Sequence, residues 1–310
     1  MGGDNSLIMA LHGRLGNQLF SFATGHACAR RTCSRLSFYD IQHAGASSYP
    51  LSTVLGERFE LASPRDLLRI GLLDYAAPLR RTLSATSYTI AERRAQRAAR
   101  PRVIVQERLG SAFQTHPEVF EAKPPVMFVG YFQSEDYFVD YAEEIDAAIA
   151  LPTGEPEFMS RLARPVVSVT FRRGDYADFG WMLPLGFYAN ALDYCASKLA
   201  PGSLLVFSDD PEFAELAGPW MRERAGIPVF LGTAVTRDPL QQLAMIAACD
   251  HHIVANSTFC WWAAWLGERR SAEPCTGIAP TGWVDGDEGI LPARWVKAAR
   301  GDANSASGSA

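Results

Sequence analysis

Short apolar runs alternate with longer mixed stretches through the second half of the chain. Residues 166–171, 203–207, 227–231, 252–255 and 276–280 read as strands, and 186–199, 211–225, 239–249 and 258–267 read as helices. Pro201-Gly202 and Gly226 punctuate the connections. A strand-then-helix repeat at this spacing predicts an α/β fold: a mostly parallel sheet with right-handed crossovers and helices on both faces. The first half is less regular. It predicts a strand over 6–11, a turn at Gly13-Arg14-Leu15-Gly16, a helix over 17–31 and a strand over 36–39. An Arg/Ala-rich helical stretch follows at 91–100, then extended segments at 103–106 and 126–131. Residues 134–149 read as one helix, with Ser134 as N-cap ahead of Glu135 and Asp136. The Gly- and Pro-containing segment 153–156 precedes the regular half, so the expected domains are 1–152 and 153–300, with a small, polar, disordered tail at 301–310.

Composition narrows the function classes. A 310-residue chain is long for one core, which favours two domains. The formal charge of −5 supplies no global field for nucleic acid or anionic lipid. The six cysteines, at 28, 33, 195, 249, 260 and 275, form no Cys-x-x-Cys pair and no zinc-like spacing with histidine, so they read as reduced, mostly buried thiols. Neither a signal peptide nor a run of ~20 apolar residues is visible. A soluble, cytoplasmic protein is the expectation.

Chemistry-bearing residues gather where strands end. Phe171-Arg172-Arg173-Gly174-Asp175-Tyr176, Phe207-Ser208-Asp209-Asp210 and Asn256-Ser257-Thr258 each follow an apolar run. Ligands of open parallel sheets bind at the carboxyl ends of strands, so these motifs are expected in one crevice. Arginine forks match phosphate oxygens, although one arginine could instead pair internally with Asp175. Asp209 or Asp210 could cap the helix that opens at Pro211; a carboxylate there could equally accept from guanine or ribose. Asn256-Ser257-Thr258 opens a helix whose N–H groups and positive dipole end suit a phosphate. The stretch Trp261-Trp262-Ala263-Ala264-Trp265 reads most simply as a buried helix, and His251-His252 as packing. The turn Gly13–Gly16 lacks both the dinucleotide glycine spacing and a Walker lysine, but Asn17 and Gln18 add amides able to bond a phosphate or sugar. Asp285-Gly286-Asp287 reads as an acidic loop in preference to a metal motif.

Five ordered strings together resemble the α1,2-fucosyltransferases of glycosyltransferase family 11. They are Gly13-Arg-Leu-Gly-Asn-Gln-Leu-Phe20, Gly130-Tyr-Phe-Gln-Ser-Glu135, Val169-Thr-Phe-Arg-Arg-Gly-Asp-Tyr176, Phe207-Ser-Asp-Asp210 and Asn256-Ser-Thr-Phe-Cys-Trp-Trp-Ala-Ala-Trp-Leu266. The resemblance implies a GT-B-like fold of two Rossmann-like domains with parallel sheets. It implies GDP-fucose as donor, a galactose-terminated glycan as acceptor, and neither metal nor other cofactor. It gives Arg172 the β-phosphate and the charge developing on GDP, with Arg173 as a weaker second. It has Asp175 shape the arginine loop, Asp210 read guanine, and Ser208 or Asp209 lie near the ribose. Asn256, Ser257 and Thr258 would meet the phosphates from the helix end, while Gly16 and Asn17 would lie near the fucose–phosphate linkage. No general base is evident; Glu135 and Asp178 are the candidates.

One position departs from the resemblance: Thr170 stands where the family commonly has histidine, and a histidine restored there is expected to be tolerated. Another linkage (α1,6 or protein O-linked) and a non-catalytic nucleotide- or glycan-binding protein are the alternatives. A peripheral membrane contact is expected only for a lipid-linked acceptor. Nothing in the sequence specifies the acceptor or the oligomeric state.

Overall fold

A computed structural model describes residues 6–40, 51–63, 66–67, 70, 104–107, 113–152, 157–284 and 288–301. The helical stretch expected at 91–100, the acidic loop 285–287 and the tail 302–310 lie outside the described residues. The chain divides into two compact units, residues 1–150 and 151–310.

The N-terminal unit holds a four-stranded parallel sheet in the order β2-β1-β4-β3, formed by β1 (Ser6–Leu11), β2 (Arg35–Asp40), β3 (Ile104–Gln106) and β4 (Val126–Val129). Helix α1 (Leu15–Thr32) links β1 to β2 and buries most of its surface, which explains why small residues such as Ala23, Gly25 and Ala27 are spread along it. It ends at Cys33 in the left-handed conformation (φ 50), whose N–H reaches back to the last turn. Two short helices that the periodicity did not suggest follow, α2 (Leu51–Leu55) and α3 (Pro117–Glu121).

The helix expected over 134–149 is broken. Ser134 does cap, accepting from the Asp136 N–H at 3.4 Å, but it caps a 3-10 turn at Glu135–Tyr137. A second 3-10 turn, Val139–Tyr141, precedes α4 (Ala142–Ala148). Phe138 interrupts with φ −140, and both Tyr137 and Phe138 are fully buried, packing against Phe132 and Phe20 respectively. Sinking two adjacent aromatic rings into the core outweighs helix continuity.

The C-terminal unit follows the expected alternation closely. Strands β5 (Val166–Phe171), β6 (Ser203–Ser208), β7 (Val229–Leu231), β8 (His251–Ile253), β9 (Thr276–Pro280) and β10 (Val296–Ala298) form a six-stranded parallel sheet in the order β10-β9-β8-β5-β6-β7. That is the doubly wound Rossmann order, and its direction reverses between β5 and β8. The connections carry α5 (Tyr176–Phe179), α6 (Leu185–Lys198), α7 (Pro211–Ala225), α8 (Gly232–Val235), α9 (Pro239–Ala247) and α10 (Thr258–Arg270). In α10 the rings of Trp261, Trp262 and Trp265 are wholly buried and pack on one another, so this stretch is core. His252 is likewise packed: its Nδ1 lies 2.8 Å from Ser168 Oγ, and burial pushes its pKa down to about 3. Cys28, Cys195, Cys249 and Cys260 are buried, Cys33 is exposed, and all six thiols are free. Among the described residues, no helix is long and apolar enough to cross a membrane.

Candidate active site

The C-terminal unit brings its three polar motifs together at the carboxyl ends of β5, β6 and β8. Parallel pairing sets Phe171 beside Ser208, so the residues that follow, Arg172-Arg173 and Asp209-Asp210, meet at the sheet edge. Arg172 Nη2 lies 2.5 Å from Asp175 Oδ1 and its Nη1 lies 2.7 Å from Asp209 Oδ2. Its guanidinium also sits over the Tyr176 ring, 5.2 Å from the centroid. Arg173 is held on another side: its backbone N–H donates to Asp209 Oδ1 at 2.8 Å, and its Nε lies 3.3 Å from Asp210 Oδ2. Its guanidinium stacks on Phe213 at 3.7 Å from the centroid. Both arginines keep part of their surface in solvent.

These contacts revise several expectations. Both arginines are paired with carboxylates, where the sequence suggested internal pairing with Asp175 for one of them. Asp175 does engage Arg172. Asp209 faces the arginines and ties both of them down, the position of a brace. Gly174 packs closely here: a Cβ there would stand 2.9 Å from Asp209 Oδ2. Asp210 caps α7, accepting from the Phe213 N–H at 3.0 Å, and Ser208 Oγ accepts from the Asp210 N–H at 3.0 Å.

Across the reversal point, Asn256 is buried and fixed. Its Nδ2 donates to the carbonyls of Trp181 at 2.9 Å and Trp283 at 3.1 Å, while its own carbonyl accepts from Tyr176 Oη at 2.9 Å. Burial pushes the Tyr176 phenol up to about 12 despite the nearby Arg172 charge, so it stays a donor. Ser257 occupies the N-cap of α10 without a side-chain capping bond, and Thr258 opens the helix. Thr170, in the strand before the arginines, is buried: its Oγ1 donates to the Ile253 carbonyl at 3.1 Å and accepts from the Ala255 N–H at 2.8 Å. It therefore stitches β5 to the end of β8, two backbone bonds that a histidine in its place would have to replace.

In the N-terminal unit, Gly16 is buried in the first turn of α1, and Asn17 Oδ1 accepts from Gln133 Nε2 at 2.9 Å. The first two sequence strings thus meet through their side chains. Gln18 is occupied internally, donating to the Gly13 carbonyl and accepting from the Leu51 N–H, so it serves the turn and not a ligand. Glu135 lies in the 3-10 turn of this unit, and Asp178 is exposed on α5, outside the contacts that join arginines to aspartates.

Sequence reasoning missed Glu107, a buried carboxylate just past β3. Its oxygens accept from the Tyr131 N–H at 2.6 Å and the Phe132 N–H at 2.9 Å, yet burial raises its pKa to about 7. A lone glutamate after a three-residue strand carries no pattern that could have announced it.

A cavity of about 810 Å³, lined by Arg164, Asp250, Cys249 and Arg270 among others, opens at the amino ends of β5 and β8. It lies at the opposite end of the strands from Arg172, where parallel sheets do not place their ligands. Among the described residues, no three His, Cys, Asp or Glu side chains cluster as a metal site.

The family model described as Glycosyl transferase family 11 matches residues 6–287. The chain belongs to that family. It is 28% identical over 191 residues to an alpha-1,2-colitosyltransferase of Escherichia coli, a match covering 56% of this chain and 63% of the relative. It is 30% identical over 110 residues to galactoside alpha-(1,2)-fucosyltransferase 2 of Oryctolagus cuniculus, covering 32% and 29% of the two chains. The matched stretches thus span less than two thirds of these relatives' lengths. Among solved structures, POFUT1 in complex with GDP-fucose aligns at a TM-score of 0.51 and 12% identity, covering 89% of this chain and 98% of that one. A variant of Arabidopsis thaliana FUT1 in complex with GDP aligns at 0.52 and 14%, covering 90% and 71%. At such identities the likeness concerns the fold, and this family 11 chain shares the parallel, GT-B-like α/β architecture of those proteins.

Proposed function

We propose that this protein is an inverting, metal-independent α1,2-fucosyltransferase that moves L-fucose from GDP-β-L-fucose to the 2-hydroxyl of a terminal β-galactose. The observation that carries the reading is the pair of braced arginines at the strand-order reversal of a Rossmann sheet. Arg172 is oriented before any ligand arrives, by Asp175, Asp209 and the Tyr176 ring. Fixed donors aimed at developing charge stabilise a transition state with little reorganisation, usually the largest catalytic effect. As the bond from fucose C1 to the β-phosphate oxygen breaks, its electron pair goes to GDP, and Arg172 neutralises the growing charge. The galactose 2-hydroxyl attacks C1 from the opposite face, giving the α1,2-linkage.

Asp210 and Ser208 serve the nucleoside, and Ser257 and Thr258 at the start of α10 serve the phosphates. Asn17, oriented by Gln133, and Gly16 serve the sugar–phosphate linkage. The proton of the attacking hydroxyl goes to solvent or to a carboxylate, with Glu135 and Asp178 as the groups to test. The names of the curated relatives support the α1,2 linkage.

A colitose donor is the second reading, favoured by the relative with the longer matched stretch. The two sugars differ by one hydroxyl, and a site that hydrogen-bonds that hydroxyl rejects the analogue lacking it.

Mass-spectrometric product analysis with GDP-fucose, a β-galactoside panel and EDTA tests the reading. The expected product is fucosylated at galactose O2 and insensitive to EDTA. GDP binding without transfer to any galactoside contradicts it, and loss of GDP binding removes the donor assignment.

A further inference from the structure

The segment after the arginine motif builds an aromatic shelf that the reaction as described does not use. Helix α5 is a single turn stopped by Gly180 in the left-handed conformation (φ 68). The chain then doubles back, and the Trp181 N–H donates to the Tyr176 carbonyl at 3.1 Å. This reversal lays the Trp181 ring on Phe179, with centroids 5.0 Å apart and planes 29° from parallel. Trp181 also meets the edge of Tyr176, at 5.7 Å and 85°.

Phe179 is 60% exposed, more than any other aromatic residue among the described large hydrophobics. An apolar ring left in water on a one-turn helix forgoes the burial that normally justifies it. Yet the shelf is firmly attached. The buried Asn256 holds both the Trp181 carbonyl and the Tyr176 hydroxyl, and Arg172 lies over the Tyr176 ring. The ring stack is thus joined to the arginine clamp through Tyr176.

Phosphates need the arginines, and a guanine edge needs carboxylates or amides; a bare phenyl face supplies neither. A pyranose ring has a different need. Galactose turns one face of C–H bonds outward with its hydroxyls around the rim, and a flat aromatic surface covers that face while leaving the hydroxyls free to react. We propose that Phe179, backed by Trp181, is the stacking surface for the acceptor pyranose, a β-galactoside. The inference rests on the functional reading above.

The test compares the full-length chain with Phe179→Ala and Phe179→Trp, measuring acceptor KM with a β-galactoside and GDP Kd separately. Because Phe179 is exposed, both variants should melt within a few degrees of the parent. The expected result is an acceptor KM raised about 10-fold in Phe179→Ala, the scale of one aromatic contact. GDP Kd should be unchanged, and Phe179→Trp should lie close to the parent. Transfer by the parent with the same acceptor KM in Phe179→Ala overturns the shelf alone. A weakened GDP Kd with unchanged acceptor KM overturns it in favour of nucleobase stacking. Failure of the parent to transfer to any galactoside, with GDP bound, overturns the functional reading and the galactoside assignment together.

Discussion

Arg172 Nη1 stands 2.7 Å from Asp209 Oδ2, joining the carboxyl ends of two neighbouring strands. The other oxygen of the same carboxylate accepts from the Arg173 backbone N–H at 2.8 Å. A single aspartate thus fixes the side chain of one arginine and the main chain of the next. With Asp175 on the other guanidinium nitrogen, Arg172 is spanned by two carboxylates while keeping 19% of its side chain in solvent. It can meet an incoming phosphate without searching rotamers, the kind of preorganisation that makes electrostatic catalysis effective.

Replacing Arg172 should therefore remove transfer. Arg172→Ala is expected to lower kcat by at least about 10²–10³-fold, the usual loss for a preorganised donor. Arg172→Lys should fare little better, because one ammonium cannot span Asp175 and Asp209 as a planar fork does. Circular dichroism should show the fold retained in both. Near-parental turnover of the lysine variant would mean that charge alone suffices and the clamp geometry is incidental.

Gly174 offers a quieter probe of the same clamp. An alanine Cβ would sit 2.9 Å from Asp209 Oδ2, the oxygen that meets Arg172, so that pairing must adjust. Gly174→Ala should reduce kcat/KM by about 10-fold, as a displacement of well under an ångström at a positioning group does. Its melting temperature should change little, because Gly174 is exposed. Parental kcat/KM would show that Asp209 is not a functional brace.

Asp210 has two jobs that a pair of variants can separate. Its Oδ1 caps α7 and its Oδ2 faces Arg173. Asp210→Ala should lose about 1 kcal/mol from the cap and raise donor KM as well. Asp210→Asn can keep the cap acceptor on its one oxygen, but it replaces the second acceptor oxygen with an NH2 group that cannot accept from the N–H groups of a guanine edge. A raised donor KM in the asparagine variant, with melting temperature near the parent, is the expected pattern. Restoration of donor KM by asparagine would assign Asp210 to the fold alone.

Strand periodicity made the C-terminal unit legible because its central strands β5, β6 and β8 are buried on both faces and helices connect each strand from β5 to β9. β5 and β9 fall where the apolar runs fall, 166–171 and 276–280. The candidate site was legible to the extent that parallel sheets put ligands at strand ends, where Arg172, Asp210 and Asn256 gather. What stayed hidden depended on side chains meeting across long sequence separations. The Gln133–Asn17 bond spans 116 residues and the Thr170–Ala255 bond spans 85, and neither leaves a local pattern. The broken helix after Ser134 was misread for a related reason: Tyr137 and Phe138 answer to core partners elsewhere in the fold.

Thr170 illustrates that point with a measurable consequence. Its hydroxyl is buried, donating to the carbonyl of Ile253 at the end of β8 and accepting from the N–H of Ala255 just beyond it. Thr170→Val keeps the shape and orphans the Ala255 N–H, a loss of about 1–3 kcal/mol. Thr170→His should destabilise at least as much, since the residue is only 3% exposed in a packed sheet and overpacking adds its own cost. Urea denaturation decides; a histidine variant as stable as the parent would show that the sheet edge can reopen there.

Glu107 predicts a pH dependence of the opposite sense from an ordinary carboxylate. Its pKa in the fold is raised to about 7 by burial, against the pull of the two N–H groups it accepts from. An unfolded glutamate titrates near ~4.3. The folded state therefore binds more protons than the unfolded state between those values, and stability falls as pH rises through the window. The contribution is full below about 4.3, is lost as pH passes about 7, and amounts to at most about 4 kcal/mol. The N-terminal unit should accordingly need less urea to unfold at pH 8 than at pH 5. Glu107→Gln should be less stable at low pH, because its amide confronts a backbone N–H, but it should lose this part of the slope. An identical slope in the glutamine variant would place the titrating group elsewhere.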